Sequence, residues 1–117
     1  MARYDQLMKE SKDKDAILMD GATGTEIERR GVTQLTNAWN WGGAMSDPDI
    51  VRAVHQEYIL KGAEITISNT FANAKHALKD ARQENDFEEM NYRGVRLAIE
   101  AREISGFDDV VVAGGVS

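Results

Sequence analysis

Three short apolar runs, each stopped by a small or polar turn, constrain this chain most. Ala16-Ile17-Leu18-Met19 stops at Asp20-Gly21. Ala63-Glu64-Ile65-Thr66-Ile67-Ser68 stops at Asn69-Thr70-Phe71. Asp109-Val110-Val111-Val112-Ala113 stops at Gly114-Gly115. Runs of this length and make-up suit buried strands. Stretches of helical period lie between them. Strand, helix, strand in that order describes βαβ units, whose strands are parallel. The expectation is an α/β fold with about three parallel strands, near residues 16–20, 64–69 and 109–113, and helices covering one side.

The helical stretches carry their own punctuation. Residues 1–15 are polar, with apolar points at Tyr4, Leu7 and Met8, and read as a short helical extension. Thr25 to Arg30 places acids first and Arg29-Arg30 last, which suits the helix dipole. Ser46-Asp47-Pro48-Asp49 offers two cap registers, one with Ser46 as cap and one with Asp47 as cap and Pro48 at the first helical position. The helix that follows, to about Lys61, has a stripe of Ile50, Val51, Val54 and Tyr58 and an i,i+4 pair of Glu57 with Lys61. Gly62 is its expected end. Asn73 to Ala81 reads as a short helix. Phe87 to Ile104 reads as a long one, with Phe87, Met90, Leu97, Ala98, Ala101 and Ile104 on one face and Gly94 as a close-packing point. Residues 32–45 have no period and read as a long loop. Trp39 and Trp41 in it either pin the loop or form a pocket wall.

The chain stops just after the third strand run. A parallel sheet needs helices on its faces, and no helix follows here. The expectation is therefore the N-terminal part of a longer protein, with 1–15 an extension and 16–117 a portion of a larger domain. A small complete three-strand domain is the alternative.

Composition narrows the function. Of 117 residues, 20 are acidic and 14 are Lys or Arg, a formal net charge of -6. That balance argues against nucleic acid or an anionic membrane as partner. No apolar run approaches the roughly 20 residues that span a bilayer, and the first fifteen residues hold no signal-peptide core. Cysteine is absent, so thiol catalysis and Cys-ligated metal are excluded within these residues. A soluble, reducing compartment is compatible with this, and the cytoplasm is the expected location.

In parallel α/β proteins, ligands bind beyond the carboxyl ends of the strands. Those ends hold Asp20-Gly21, Asn69-Thr70 and Gly114-Gly115. Asp20 can accept hydrogen bonds from an ammonium group, or it can cap the following helix. Gly21 would let a ligand approach the backbone. Asn69 can donate and accept toward an amino-acid headgroup, or close its own turn. Gly21 and Gly24 invite a nucleotide reading, but the third glycine of the dinucleotide fingerprint is missing and Glu26 stands there instead. His55 and His76 read as ordinary helical histidines. The acidic run from Asp80 to Glu89 reads as solvated surface and lacks the order of a calcium loop.

Four segments together carry a family likeness. Residues 17–31 (ILMDGATGTEIERRG), 47–58 (DPDIVRAVHQEY), 62–71 (GAEITISNTF) and 112–117 (VAGGVS) resemble, in order and spacing, the homocysteine S-methyltransferase family. The resemblance implies the N-terminal fragment of a (β/α)8 TIM barrel, truncated after its third strand. It implies transfer of a methyl group from a small-molecule donor to the sulfur of homocysteine, giving methionine. It implies zinc in the full-length protein, held by three cysteines beyond residue 117, with none held by this chain. The rest of the barrel would be required, and the fragment alone would be inactive. Asp20, Gly21 and Asn69 correspond to the family's homocysteine side, with Trp39 and Phe71 as pocket walls. No catalytic or metal-binding residue is assigned in this chain. Ala72 stands where the betaine-using branch has a tyrosine, which argues against betaine as donor. S-methylmethionine, S-adenosylmethionine and methyltetrahydrofolate acting through a corrinoid are the other donors in the family. A non-enzymatic binding or structural module, or a nucleotide-binding enzyme built on the Gly21–Gly24 turn, are the alternatives.

Overall fold

The computed structural model describes residues 2–32, 46–71, 74–80 and 84–115. Helix α1 (Arg3–Glu10) runs into a 3-10 turn at Ser11–Asp13. Helices α2 (Gly24–Arg29) and α3 (Pro48–Leu60) precede strand β1 (Ile65–Ile67). Helix α4 (Lys75–Asp80), a 3-10 turn at Glu84–Asp86, helix α5 (Phe87–Ser105) and strand β2 (Val111–Ala113) complete the order.

Strands β1 and β2 pair in parallel, with Ile65, Thr66 and Ile67 opposite Val111, Val112 and Ala113. The expected first strand is cut down to one parallel bridge, Met19 to Ile65. Its rungs are Ile65 N–H to the Leu18 carbonyl at 3.3 Å and Asp20 N–H to the Ile65 carbonyl at 3.0 Å. Beyond the bridge on either side, a carboxylate takes the place of a backbone carbonyl. Glu64 Oε2 accepts the Leu18 N–H at 3.0 Å, and Asp20 Oδ2 accepts the Ile67 N–H at 2.9 Å. The pairing direction is as expected, but the sheet of the described residues is two-stranded and open rather than three-stranded. Leu18 and Met19 are also 56% and 50% exposed, so this run is not buried on both faces.

Helices α3 and α5 pack against each other and against the strands. Ile27, Val32, Val51, Val54 and Leu97 form one core cluster, with Ile50 and Tyr58 at its margin. Ile59, Ala101 and Val110 form another. Complete burial of a side chain such as Ile27 or Val54 contributes about 1.5–3 kcal/mol. On α5 the expected face is right from Met90 to Ala101, but Ile104 is 60% exposed. On α3 the buried stripe includes His55 and Ile59. Glu57 pairs with Arg30, across from α2, rather than with Lys61. Pro48 occupies the first turn of α3, as the Asp47 register requires, yet the Asp47 carboxylate accepts from the Ser46 hydroxyl at 2.7 Å and makes no cap bond. Gly62 and Gly106, at φ +112° and +76°, end α3 and α5 in the left-handed region open to glycine. Helix α1 docks through buried Leu7, and Arg3 Nε donates to the Asp109 carbonyl at 2.7 Å, just before β2.

Candidate functional site

A cleft of about 340 Å³ opens at the carboxyl ends of the parallel segments. The turn after Met19 gives one wall, from Asp20 to Thr25. The end of β1 and its turn give the other, through Ile67, Ser68, Asn69 and Phe71. Three of the expected site residues, Asp20, Gly21 and Asn69, therefore share one cavity. Phe71 joins them as a wall and is 63% exposed. Trp39, the other expected wall, and Ala72 lie outside the described residues.

Asp20 does not cap the helix that follows it. Its Oδ2 accepts from the Thr66 hydroxyl at 3.0 Å and from the Ile67 N–H at 2.9 Å. Both of these bonds fall on Oδ2, and neither engages Oδ1. Partial burial pushes the Asp20 carboxyl above its usual range, and the two hydrogen bonds from β1 pull against that rise. Among the described residues it is the sole acidic side chain lining the cleft.

Gly21 lines the cleft and also packs against α3. A Cβ there would lie 3.1 Å from Tyr58 Oη, so Tyr58 occupies the space beside its backbone. The same hydroxyl donates to the Ala22 carbonyl at 2.9 Å and ties the 21–25 turn to α3. Glu26 faces away from the cleft. Arg29 and Arg30 bond it at 2.6–2.9 Å and hold its carboxyl down to about 2.

The third strand end is bonded to the second. Thr70 Oγ1 donates to the Gly115 carbonyl at 3.0 Å and accepts the Gly115 N–H at 3.2 Å. The Ser68 hydroxyl, 2.9 Å away, is then the donor to Thr70.

Sequence reasoning missed Thr66, Tyr58 and His55 as parts of this site. Thr66 has a signal in the two-residue alternation of β1, which turns it away from Ile65 and Ile67. Tyr58 and His55 give none beyond their place on the apolar side of α3.

Among the described residues, no group of three His, Cys, Asp or Glu side chains is arranged to hold a metal ion. With no cysteine in the sequence, the thiolate zinc site that the family resemblance implies has no ligands here. No described helix is long and apolar enough to cross a membrane.

Parallel strands with a cleft at their carboxyl ends define an α/β protein of the class that builds its sites from strand-end turns. The family model for homocysteine S-methyltransferase matches residues 17–117, and the chain belongs to that family. It is similar to homocysteine S-methyltransferase 1 of Brassica oleracea var. italica, 26% identical over 87 residues, which cover 74% of this chain and 27% of that protein. It is also similar to the S-methylmethionine–homocysteine S-methyltransferase BHMT2 of Pongo abelii, 26% identical over 110 residues, covering 94% of this chain and 28% of that protein. The crystal structure of the metallated homocysteine methyltransferase MmuM from Escherichia coli superposes with a TM-score of 0.82 at 25% identity, over 99% of this chain and 41% of that one. The chain thus spans only about a quarter of the length of these two curated relatives.

Proposed function

We propose that this chain forms the homocysteine-binding side of a (β/α)8 methyltransferase, which moves a methyl group from a small-molecule donor to homocysteine and yields methionine. The observation that carries the reading is the Asp20 carboxylate, held by β1 at the strand-end cleft of a chain that belongs to this family. Oδ1 of Asp20 accepts from the ammonium of homocysteine, directly or through one water. Asn69 defines the same end of the pocket, Gly21 lines it, and Phe71 closes one side. The sulfur then points away from these residues, toward the part of the barrel that this chain does not contain. The substrate sulfur forms the new bond to the methyl carbon as the donor's own bond to that carbon breaks. The residues of this chain contribute orientation. A cytoplasmic setting belongs to the same reading.

The test is homocysteine titration of the full-length protein and its Asp20→Asn variant, with S-methylmethionine as the first donor assayed, since one relative's name specifies it. An asparagine can keep its amide oxygen toward Thr66 and Ile67, which turns its NH2 toward the cleft and replaces an acceptor with a donor. Loss of a charged hydrogen bond of about 1.5–3 kcal/mol weakens binding roughly 10- to 150-fold. Equal affinity in the two proteins defeats the ammonium role of Asp20.

A further inference from the structure

His55 is completely buried on α3, yet it is not spent on packing alone. Its Nδ1 lies 3.3 Å from Thr66 Oγ1, and that oxygen lies 3.0 Å from Asp20 Oδ2. A threonine hydroxyl has one proton to give. The carboxylate oxygen can only accept, so the proton goes to Asp20. The Thr66 oxygen is then an acceptor toward His55, and the imidazole must carry its own proton on Nδ1. This tautomer leaves Nε2 as a bare acceptor, which is buried with no hydrogen-bond partner among the described residues. An apolar side chain of similar volume would avoid that unsatisfied nitrogen. The bond from Nδ1 to Thr66 is what an imidazole adds at this position.

We infer that His55 is a positioning residue for substrate binding: it fixes the Thr66 hydroxyl rotor and so aims the Asp20 carboxylate into the cleft. The inference rests on the homocysteine reading of that cleft. The order of donation is His55 Nδ1–H to Thr66 Oγ1, and Thr66 Oγ1–H to Asp20 Oδ2. With the Ile67 N–H also on Oδ2, one carboxylate oxygen is doubly held and the other is turned toward the ligand. Burial keeps the His55 ring neutral, pulling its pKa down to about 4, so the chain of donors stays unbroken at neutral pH. Without His55 the Thr66 hydroxyl still has its proton, but loses the donor that orients its lone pairs.

The experiment compares His55→Leu, His55→Asn, Thr66→Val and the His55→Leu/Thr66→Val double variant with wild type and Asp20→Asn, all in the full-length protein. Homocysteine affinity and turnover at saturating homocysteine are measured for each. Thr66→Val and His55→Leu should each weaken homocysteine binding about three- to tenfold, the scale of one neutral hydrogen bond, with saturated turnover little changed. His55→Asn, whose amide nitrogen can stand near the Nδ1 position, should restore most of the affinity. The double variant should be no worse than Thr66→Val alone, because both remove the same link. Wild-type affinity in Thr66→Val and His55→Leu, beside weakened binding in Asp20→Asn, overturns the positioning role and leaves the cleft assignment standing. Additive losses in the double variant, or no rescue by asparagine, also overturn it and return His55 to a packing role. Unchanged affinity in Asp20→Asn removes the homocysteine reading itself. Should His55→Leu fail to fold, Thr66→Val and His55→Asn still decide, since wild-type binding by Thr66→Val alone refutes the link.

Discussion

Gly94 is where α5 meets the turn that ends β1, and replacing it with alanine tests how rigid that turn is. A Cβ on Gly94 would lie 2.8 Å from Thr70 Cγ2 and 3.2 Å from the Asn69 carbonyl oxygen. Comfortable contact between carbons is about 3.5–4.0 Å. The methyl cannot turn aside cheaply. The Thr70 hydroxyl on the same Cβ bonds Gly115 twice, at 3.0 and 3.2 Å, and Ser68 at 2.9 Å. Rotating χ1 gives up three hydrogen bonds of about 0.5–1.5 kcal/mol each. Shifting the helix instead costs about 1–3 kcal/mol, the usual range for overpacking. The helix itself prefers alanine to glycine by about 0.8–1 kcal/mol. The lower-cost response is the helix shift, and the net loss should be about 1 kcal/mol, the middle of a range from about 0 to 2 kcal/mol. Urea unfolding measures it as a lower midpoint at constant slope. Thr70→Ser supplies the control, because it keeps the hydroxyl and removes the methyl. In that background Gly94→Ala meets only the 3.2 Å contact, and its cost should shrink by about 1 kcal/mol. A Gly94→Ala protein as stable as wild type, or one equally destabilised in the Thr70→Ser background, refutes this reasoning.

The other predictions use the same protein. Tyr58→Phe removes the bond to the Ala22 carbonyl and should cost about 0.5–1.5 kcal/mol in urea unfolding, with a modest loss of homocysteine affinity as the 21–25 turn loosens. The Lys14 ammonium at 2.6 Å, and then the Leu18 N–H, hold Glu64 below its ordinary 4.5. Its stabilisation is therefore present above pH 4.5 and lost as pH falls through the lower folded value, and Glu64→Gln should flatten that acid-side loss in thermal midpoints taken from about pH 3 to 6. Asp20 has the opposite sign, because burial raises its folded pKa above 3.8. Its ionisation costs stability as pH rises from 3.8 through that raised value, and Asp20→Asn should remove this decline in the same pH series while weakening homocysteine binding.

Much of the frame was legible because it is written in local patterns. Pro48 after Asp47, Gly62 and Gly106 mark helix ends that depend on backbone geometry alone, and the structure keeps them. The parallel pairing of β1 and β2 follows from the helix between them. The strand ends at Asp20 and Asn69 also come together as their positions suggest. What could not be read were choices made by long-range partners. Glu57 has Lys61 one turn away but pairs with Arg30, whose place depends on how α2 packs. Asp20 has the spacing of a helix cap but bonds Thr66, forty-six positions on. Ile104 continues the helical period of α5 but is 60% exposed, because burial depends on what packs against the face and not on the period alone.

The shortening of the first strand and the making of the site are one event. A parallel ladder continued past the bridge would give the Ile67 N–H to the backbone carbonyl of residue 20. Here the Asp20 side chain takes that hydrogen bond instead. The segment is thereby free to leave the sheet at Gly21, and the 21–25 turn swings across to Tyr58 on α3. The same substitution brings a carboxylate to the floor of the space that the departing chain opens. An apolar residue at position 20 could not accept the Ile67 N–H through its side chain. The ladder's own carbonyl would be the natural acceptor, which favours a longer strand and a narrower cleft. On the homocysteine reading proposed above, Asp20 shapes the site twice, first by ending the pairing and then by presenting the charge, and Thr66 and His55 are the residues proposed to keep those two roles on separate oxygens.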